Sequence, residues 1–138
     1  MKAMDKPSFI KELTLPAIAA PMFLISGPEL VIECCKNGIV GTFPALNQRS
    51  SEGFEQWLLD INQQLDTHQK TTESKIAPYG VNLIVHPTNT RMQEDLMLCV
   101  KHRVPLVITS LGIMPEVIDA IHQYGGLVFH DVINRRHA

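Results

Sequence analysis

The stretch Leu15–Met22 constrains this chain more than any other part: Leu-Pro-Ala-Ile-Ala-Ala-Pro-Met contains no polar side chain. Such a run reads as a buried parallel strand, because a strand covered on both faces has no need of polar alternation. Pro21 stops it by withholding a ladder donor. Gly27-Pro28-Glu29 then opens a helix, with Pro28 in the first turn, where a missing N–H does no harm. Asn37-Gly38 closes that helix with a left-handed cap. A second apolar run, Gly38–Thr42, begins at once. Strand, helix and strand in about 27 residues match one β-α-β module.

The chain then repeats the module. Leu30, Val31, Cys34 and Cys35 form the apolar stripe of the first helix, and Phe43–Ser50 reads as a loop. Phe54, Trp57, Leu58, Ile61 and Leu65 follow at helical spacing, the signature of an amphipathic helix. Asp66–Ser74 is polar without period, and so is either an exposed loop or a continuation of that helix. Tyr79–Val85 is the third strand. A helix over roughly Asn89–His102 turns Met92, Leu96, Cys99 and Val100 inward. Val104–Ser110 is the fourth strand. Pro115 starts a helix carrying Val117, Ile118 and Ile121, which Gly125-Gly126 stops. Leu127–Val132 is the fifth strand, and Asn134–Ala138 reads as the opening turn of another helix.

Strands apolar on both faces, alternating with helices, imply an α/β fold with a parallel sheet covered by helices. An open doubly wound sheet suits the length of 138 residues, but no glycine-rich turn follows the first strand as a dinucleotide-binding sheet requires. A closed β/α barrel takes about 250 residues. The pattern therefore reads as about five β-α units over residues 1–138, a single incomplete domain forming the N-terminal portion of a TIM (β/α)8 barrel.

Charge excludes some partners. The formal charge is −2 with no basic run, which gives no footing for nucleic acid. No apolar stretch reaches the length of a membrane span, and the first residues lack a signal-like apolar region, so a cytoplasmic location is expected. Three cysteines, Cys34, Cys35 and Cys99, are read as reduced structural thiols, since the adjacent pair is badly placed to bridge. No histidines fall at a metal-ligand spacing, and His68, His86, His102, His122 and His137 read as surface residues. Trp57 with its helical stripe reads as core packing.

Five segments together carry a family resemblance: Pro16–Met22, Gly38–Thr42, Gly80–Leu83, Val107–Gly112 and Gly126–Val132. In this order and spacing the chain resembles the N-terminal part of the nitronate monooxygenases, also called 2-nitropropane dioxygenases, which are FMN-dependent barrels. The flavin-dependent enoyl reductases share much of the pattern. The resemblance implies FMN lying across the C-terminal mouth of the barrel, with the backbone of Ala20, Pro21 and Met22 beside its ring, where a neutral N–H near flavin N5 supports charge. It also implies that the Asn82 amide bonds the flavin or its ribityl chain, with Thr109 and Ser110 in the pocket wall and His130, beside Asp131, as the flavin contact at the end of the fifth strand. Asp131 stands where some relatives carry lysine.

Plainer readings accompany these. Pro21-Met22 also fits a simple strand stop with methionine filling a core gap. Asn82 is harder to read that way, because an unpartnered buried amide costs about 1–3 kcal/mol. His130 and Asp131 are adjacent, so at most one of them faces the barrel interior.

The family's catalytic base and glycine-rich phosphate loop have no counterpart here, so the catalytic base is expected beyond this chain, and the chain alone is expected to be inactive. The implied reaction is oxidation of a nitronate by FMN and molecular oxygen to a carbonyl compound and nitrite. Reduction of an enoyl thioester is the alternative, separable by a nicotinamide requirement. A third reading is a non-catalytic α/β scaffold whose open sheet edges are covered by self-association into a homo-oligomer.

Overall fold

A computed structural model describes residues 8–136. Five parallel strands, β1 (Ile18–Ala19), β2 (Val40–Pro44), β3 (Tyr79–Ile84), β4 (Leu106–Ser110) and β5 (Leu127–His130), lie side by side in chain order. Four α-helices connect them: α1 (Pro28–Lys36), α2 (Ser51–Thr72), α3 (Met92–Lys101) and α4 (Pro115–His122). Strand order that never reverses, combined with right-handed crossovers, puts every helix on the same face of the sheet. A doubly wound sheet needs a reversal. The sheet therefore curls, and the molecule is a half-barrel with helices outside.

The core lies between sheet and helices. Val31, Ile32 and Cys35 of α1, Phe54, Leu58, Ile61 and Leu65 of α2, Leu96 and Cys99 of α3, and Val117 and Ile121 of α4 pack on Phe43, Tyr79, Val81, Leu83 and Val107. Phe43 meets Phe54 and Trp57 at ring separations of 6.0 and 5.6 Å in tilted and edge-on geometry, which favours aromatic pairs. Gly41 faces α1 so closely that a Cβ there would come within 2.5 Å of the Val31 carbonyl oxygen.

Local signals account for the element ends. Ser50 caps α2 by accepting from the Gly53 N–H, satisfying one of the donors a helix start leaves free. Glu73 ends α2 in the left-handed conformation, so Asp66–Thr72 continues the helix. Gly38, at φ +75°, turns the chain from α1 into β2.

The first strand departs most from expectation. Only Ile18 and Ala19 pair with β2, and Ile18 is 38% exposed. Leu15–Met22 is thus a short edge strand rather than a fully buried one, bent after Thr14 and ended by proline. β2 continues through Phe43 and Pro44 and runs into a 3-10 turn, Ala45–Asn47, where a loop is expected from sequence. The α1 stripe is Val31, Ile32 and Cys35, with Leu30 exposed and Cys34 half-buried. α3 and β4 begin later than expected, and β3 and β5 end earlier. Residues 134–136 form a turn in which Asn134 Oδ1 accepts the Arg136 N–H, with no helix; His137 and Ala138 lie outside the described residues.

The cysteines are free, and burial pushes the Cys35 thiol up to about 11, far from a reactive thiolate. Cys99 is raised further by the same cause. His102 is not a simple surface residue. It lies 2.7 Å from the Glu55 carboxylate, which Lys101 also meets. No described helix is long and apolar enough to cross a membrane.

Candidate functional site

Alternation along the strands sorts the polar residues onto two faces. Gly80 faces the side chains of Thr42 and Leu106, which marks the concave side of the curled sheet. By the two-residue period, Asn82, Ser110 and Asp131 share that side. Thr109 and His130 fall on the opposite, helix-covered side.

The concave-side residues form a continuous relay across three strands. The Asn82 Nδ2 donates to the Ile108 carbonyl at 3.0 Å and to the Ser110 Oγ at 2.7 Å. The Ser110 hydroxyl donates to the Asp131 Oδ2 at 2.6 Å, in the short range of a charge-assisted bond. A hydroxyl has a single proton, so Ser110 gives it to the carboxylate and must accept from Asn82. That fixes the orientation of the Asn82 amide, with both N–H donors consumed. No donor among the described residues reaches Asn82 Oδ1, although the residue is only 5% exposed. The site therefore offers incoming molecules an acceptor at Asn82, followed by an exposed carboxylate at Asp131.

On the other face, His130 Nδ1 lies 2.9 Å from the Thr109 carbonyl and 3.0 Å from the Thr109 Oγ1. A carbonyl only accepts, so Nδ1 carries the proton and Nε2 holds the lone pair in the neutral ring. Thr109 Oγ1 in turn donates to the Phe129 carbonyl. His130 is thereby pinned to its own strand pair.

At the β1 end, the mouth is shaped by a tight turn over residues 22–26. The Met22 N–H donates to Ser26 Oγ at 2.9 Å, and the Met22 carbonyl accepts from the Ser26 N–H. Pro21 has no N–H to offer. The Met22 N–H is thus spent within the turn, and the Met22 side chain is 41% exposed. Ala20 is exposed and Pro21 half-buried beside it. Thr42, on the concave side of β2, donates to the Ala19 carbonyl and ties the short β1 to its neighbour.

Residues not marked by the sequence complete the mouth. Asn47 bonds the 22–26 turn at three points: Oδ1 accepts from the Leu24 N–H, and Nδ2 donates to the carbonyls of Met22 and Ser26. Arg91 reaches from the loop after β3 to the Gln48 carbonyl at 2.7 Å, to Ser51 and to Asp95. Asp95 is fully buried, with Oδ1 held by Ser51 and Arg91 and Oδ2 without a partner. The available signals were an asparagine just before a helix cap and an Arg–Asp pair at helical spacing. Neither type of signal distinguishes a loop clamp from a solvated surface. A cavity of about 400 Å³ lies between the loops after β4 and β5, lined by Leu111, Gly112, Ile113, His130, Asp131 and Ile133.

No family model and no curated protein sequence matches the chain. Solved structures do. FabK from Thermotoga maritima superposes with a TM-score of 0.73 at 18% identity, over 94% of this chain and 38% of that one. The enoyl reductase domain of MlnA, from the macrolactin biosynthesis cluster of Bacillus amyloliquefaciens, superposes with a TM-score of 0.63 at 29% identity, over 78% of this chain and 23% of that one. The chain thus spans well under half the length of either neighbour, and it has the fold of part of a β/α barrel. At 18% identity the FabK likeness speaks to fold alone.

Proposed function

We propose that this chain builds one wall of the FMN pocket of a barrel oxidoreductase. The observation that carries the reading is Asn82: a side chain 5% exposed whose Oδ1 meets no donor among the described residues and stays open to incoming molecules, at the C-terminal mouth of a parallel half-barrel, where β/α barrels place their ligands. FMN fits that residue, because its ring imide and ribityl hydroxyls are donors of the kind the site lacks. When bound, FMN supplies the redox chemistry, accepting and passing on a hydride equivalent.

The chain's own residues then have distinct tasks. Asn82 orients the cofactor through its oxygen. Ser110 holds that amide in place and, through its proton, anchors Asp131. Ala20, Pro21 and Met22 contribute the opposite rim of the mouth, with Met22 offering an apolar surface to a ring. His130, fixed by Thr109, lies at the edge of the cavity between the loops.

Two reactions suit such a pocket. One is nitronate oxidation, with molecular oxygen as co-substrate and nitrite released. The other is reduction of an enoyl thioester, which the likeness to the MlnA enoyl reductase domain supports at least as well. The self-associating α/β scaffold is the non-catalytic reading.

The test is a visible absorption spectrum of the purified chain after mixing with FMN and desalting. A retained flavin band that Asn82→Ala abolishes is the expected result, and a colourless wild-type chain overturns the reading. Turnover assays in the presence of FMN separate the reactions. Nitrite release without a nicotinamide marks the oxidase, and thioester-dependent consumption of a nicotinamide marks the reductase.

A further inference from the structure

The turn over residues 22–26 is unusual in what it displays and in how it is held. Phe23, Leu24 and Ile25 are 66%, 78% and 69% exposed, an apolar tip that nothing packs in place. Leu24 sits at φ +62°, a left-handed conformation unfavourable for a residue with a Cβ. β1 beneath it is only two residues long. Neither burial of Phe23–Ile25 nor strand pairing therefore sets the position of the tip.

Polar contacts set it instead: three hydrogen bonds lie within the turn, to Ser26 Oγ and to the Met22 carbonyl, and the three that tie it to the rest of the chain pass through a single side chain. Asn47 Oδ1 accepts the Leu24 N–H at 3.0 Å, while Nδ2 donates at 3.0 Å to the Met22 carbonyl and at 2.8 Å to that of Ser26. Ser26, 1% exposed, receives the Met22 N–H on its Oγ. Three of the amide's four bonding positions are thus used within one turn of five residues. Asn47 itself is placed by the 3-10 turn that ends β2, so it transfers the position of a well-buried strand to the loop of a weakly paired one.

We propose that Asn47 is the positioning residue of the β1 side of the mouth, holding Met22 and its neighbours at the height the cofactor requires. The cofactor half of this assignment rests on the flavin reading above; the control of the turn does not.

The chemistry permits a test that a general loss of stability would not imitate. In Asn47→Asp the acceptor for Leu24 is kept, but the amide donor becomes a carboxylate oxygen facing two carbonyls. That oxygen repels both until it takes up a proton, whereupon it donates to one of them. The carboxyl is therefore raised above the ordinary aspartate range, and acidification restores the contact.

The experiment compares wild type, Asn47→Ala and Asn47→Asp between pH 5 and pH 8. It reads Leu24 amide exchange by NMR and FMN affinity by fluorescence quenching, each referred to wild type at the same pH. Exchange at Leu24 is expected to quicken roughly tenfold in Asn47→Ala, and FMN affinity to fall by roughly tenfold, as loss of two to three hydrogen bonds implies. Asn47→Asp should match Asn47→Ala at pH 8 and move toward wild type at pH 5.

Wild-type exchange and affinity in Asn47→Ala overturn the proposal. So does an Asn47→Asp variant that shows no recovery on acidification while its circular dichroism stays native. A wild-type chain that binds no FMN refutes the flavin reading and the cofactor half with it, while Leu24 exchange still decides whether Asn47 governs the turn.

Discussion

The middle and the edge of the sheet solve the same problem in different ways. β3 runs for six residues, pairs on both sides and buries Tyr79 through Leu83. β1 pairs over two residues on one side and leaves Ile18 exposed. Both end at the mouth of the half-barrel, yet β3 delivers Asn82 by strand register and packing, whereas β1 delivers Met22 through a turn held by side-chain hydrogen bonds. Packing is collective: truncating one core side chain costs stability, but the remaining contacts and the ladder keep the register. A turn clamped by one amide depends on that amide. The two walls therefore differ in how they fail.

Removing the tie between the loops after β2 and β3 gives the largest expected effect. Arg91→Ala strands the buried Asp95 carboxylate and frees the Gln48 carbonyl. Urea denaturation should show a loss of about 3–5 kcal/mol, the usual result of breaking a buried pair from one side. Next comes a matched truncation. Leu83→Ala, at a buried site in β3, should cost about 2–5 kcal/mol, and Ile18→Ala at the edge about 1 kcal/mol or less. Equal losses would erase the distinction between the two strands. Smaller again is Ser110→Ala, which removes the link between Asn82 and Asp131. About 1–2 kcal/mol of stability should go, and FMN retention should weaken, because Asn82 then keeps only its bond to the Ile108 carbonyl.

The smallest effect tests the outer layer. Hydrogen bonds from Lys101 and His102 hold the Glu55 carboxyl below its ordinary value of 4.5. A carboxylate depressed in the folded state contributes fully above its unfolded value and loses that contribution as pH falls through the folded one. Wild type should therefore lose stability below about pH 4.5 more steeply than Glu55→Gln, and added salt should shrink the difference. Urea midpoints measured from pH 3 to pH 7 check it.

The strand–helix alternation was legible because it is written in apolar runs of the right length, and Pro28, Pro115 and Gly38 mark their boundaries by backbone chemistry alone. Asn82 was legible too, as an amide within an apolar strand. The extent of β1 was not. An apolar run looks the same whether it pairs on two sides or on one, and only its neighbours decide. Asn47, Arg91 and Asp95 escaped for a related reason, since their partners are backbone carbonyls and loop atoms brought together by the crossovers. Which of His130 and Asp131 faces inward also needed the register, which joins Thr109 to His130.

Gly41 has a further consequence. With no room for even a methyl group between it and Val31, α1 rests on the sheet at the shortest distance a backbone permits. The position works as a spacer of zero thickness: an alanine there acts as a wedge and levers the helix outward. Because the 22–26 turn runs directly into α1, the wedge would widen the mouth from its far side. The calibre of the opening is thus set in part by an atom that is missing, on the face of the sheet turned toward α1.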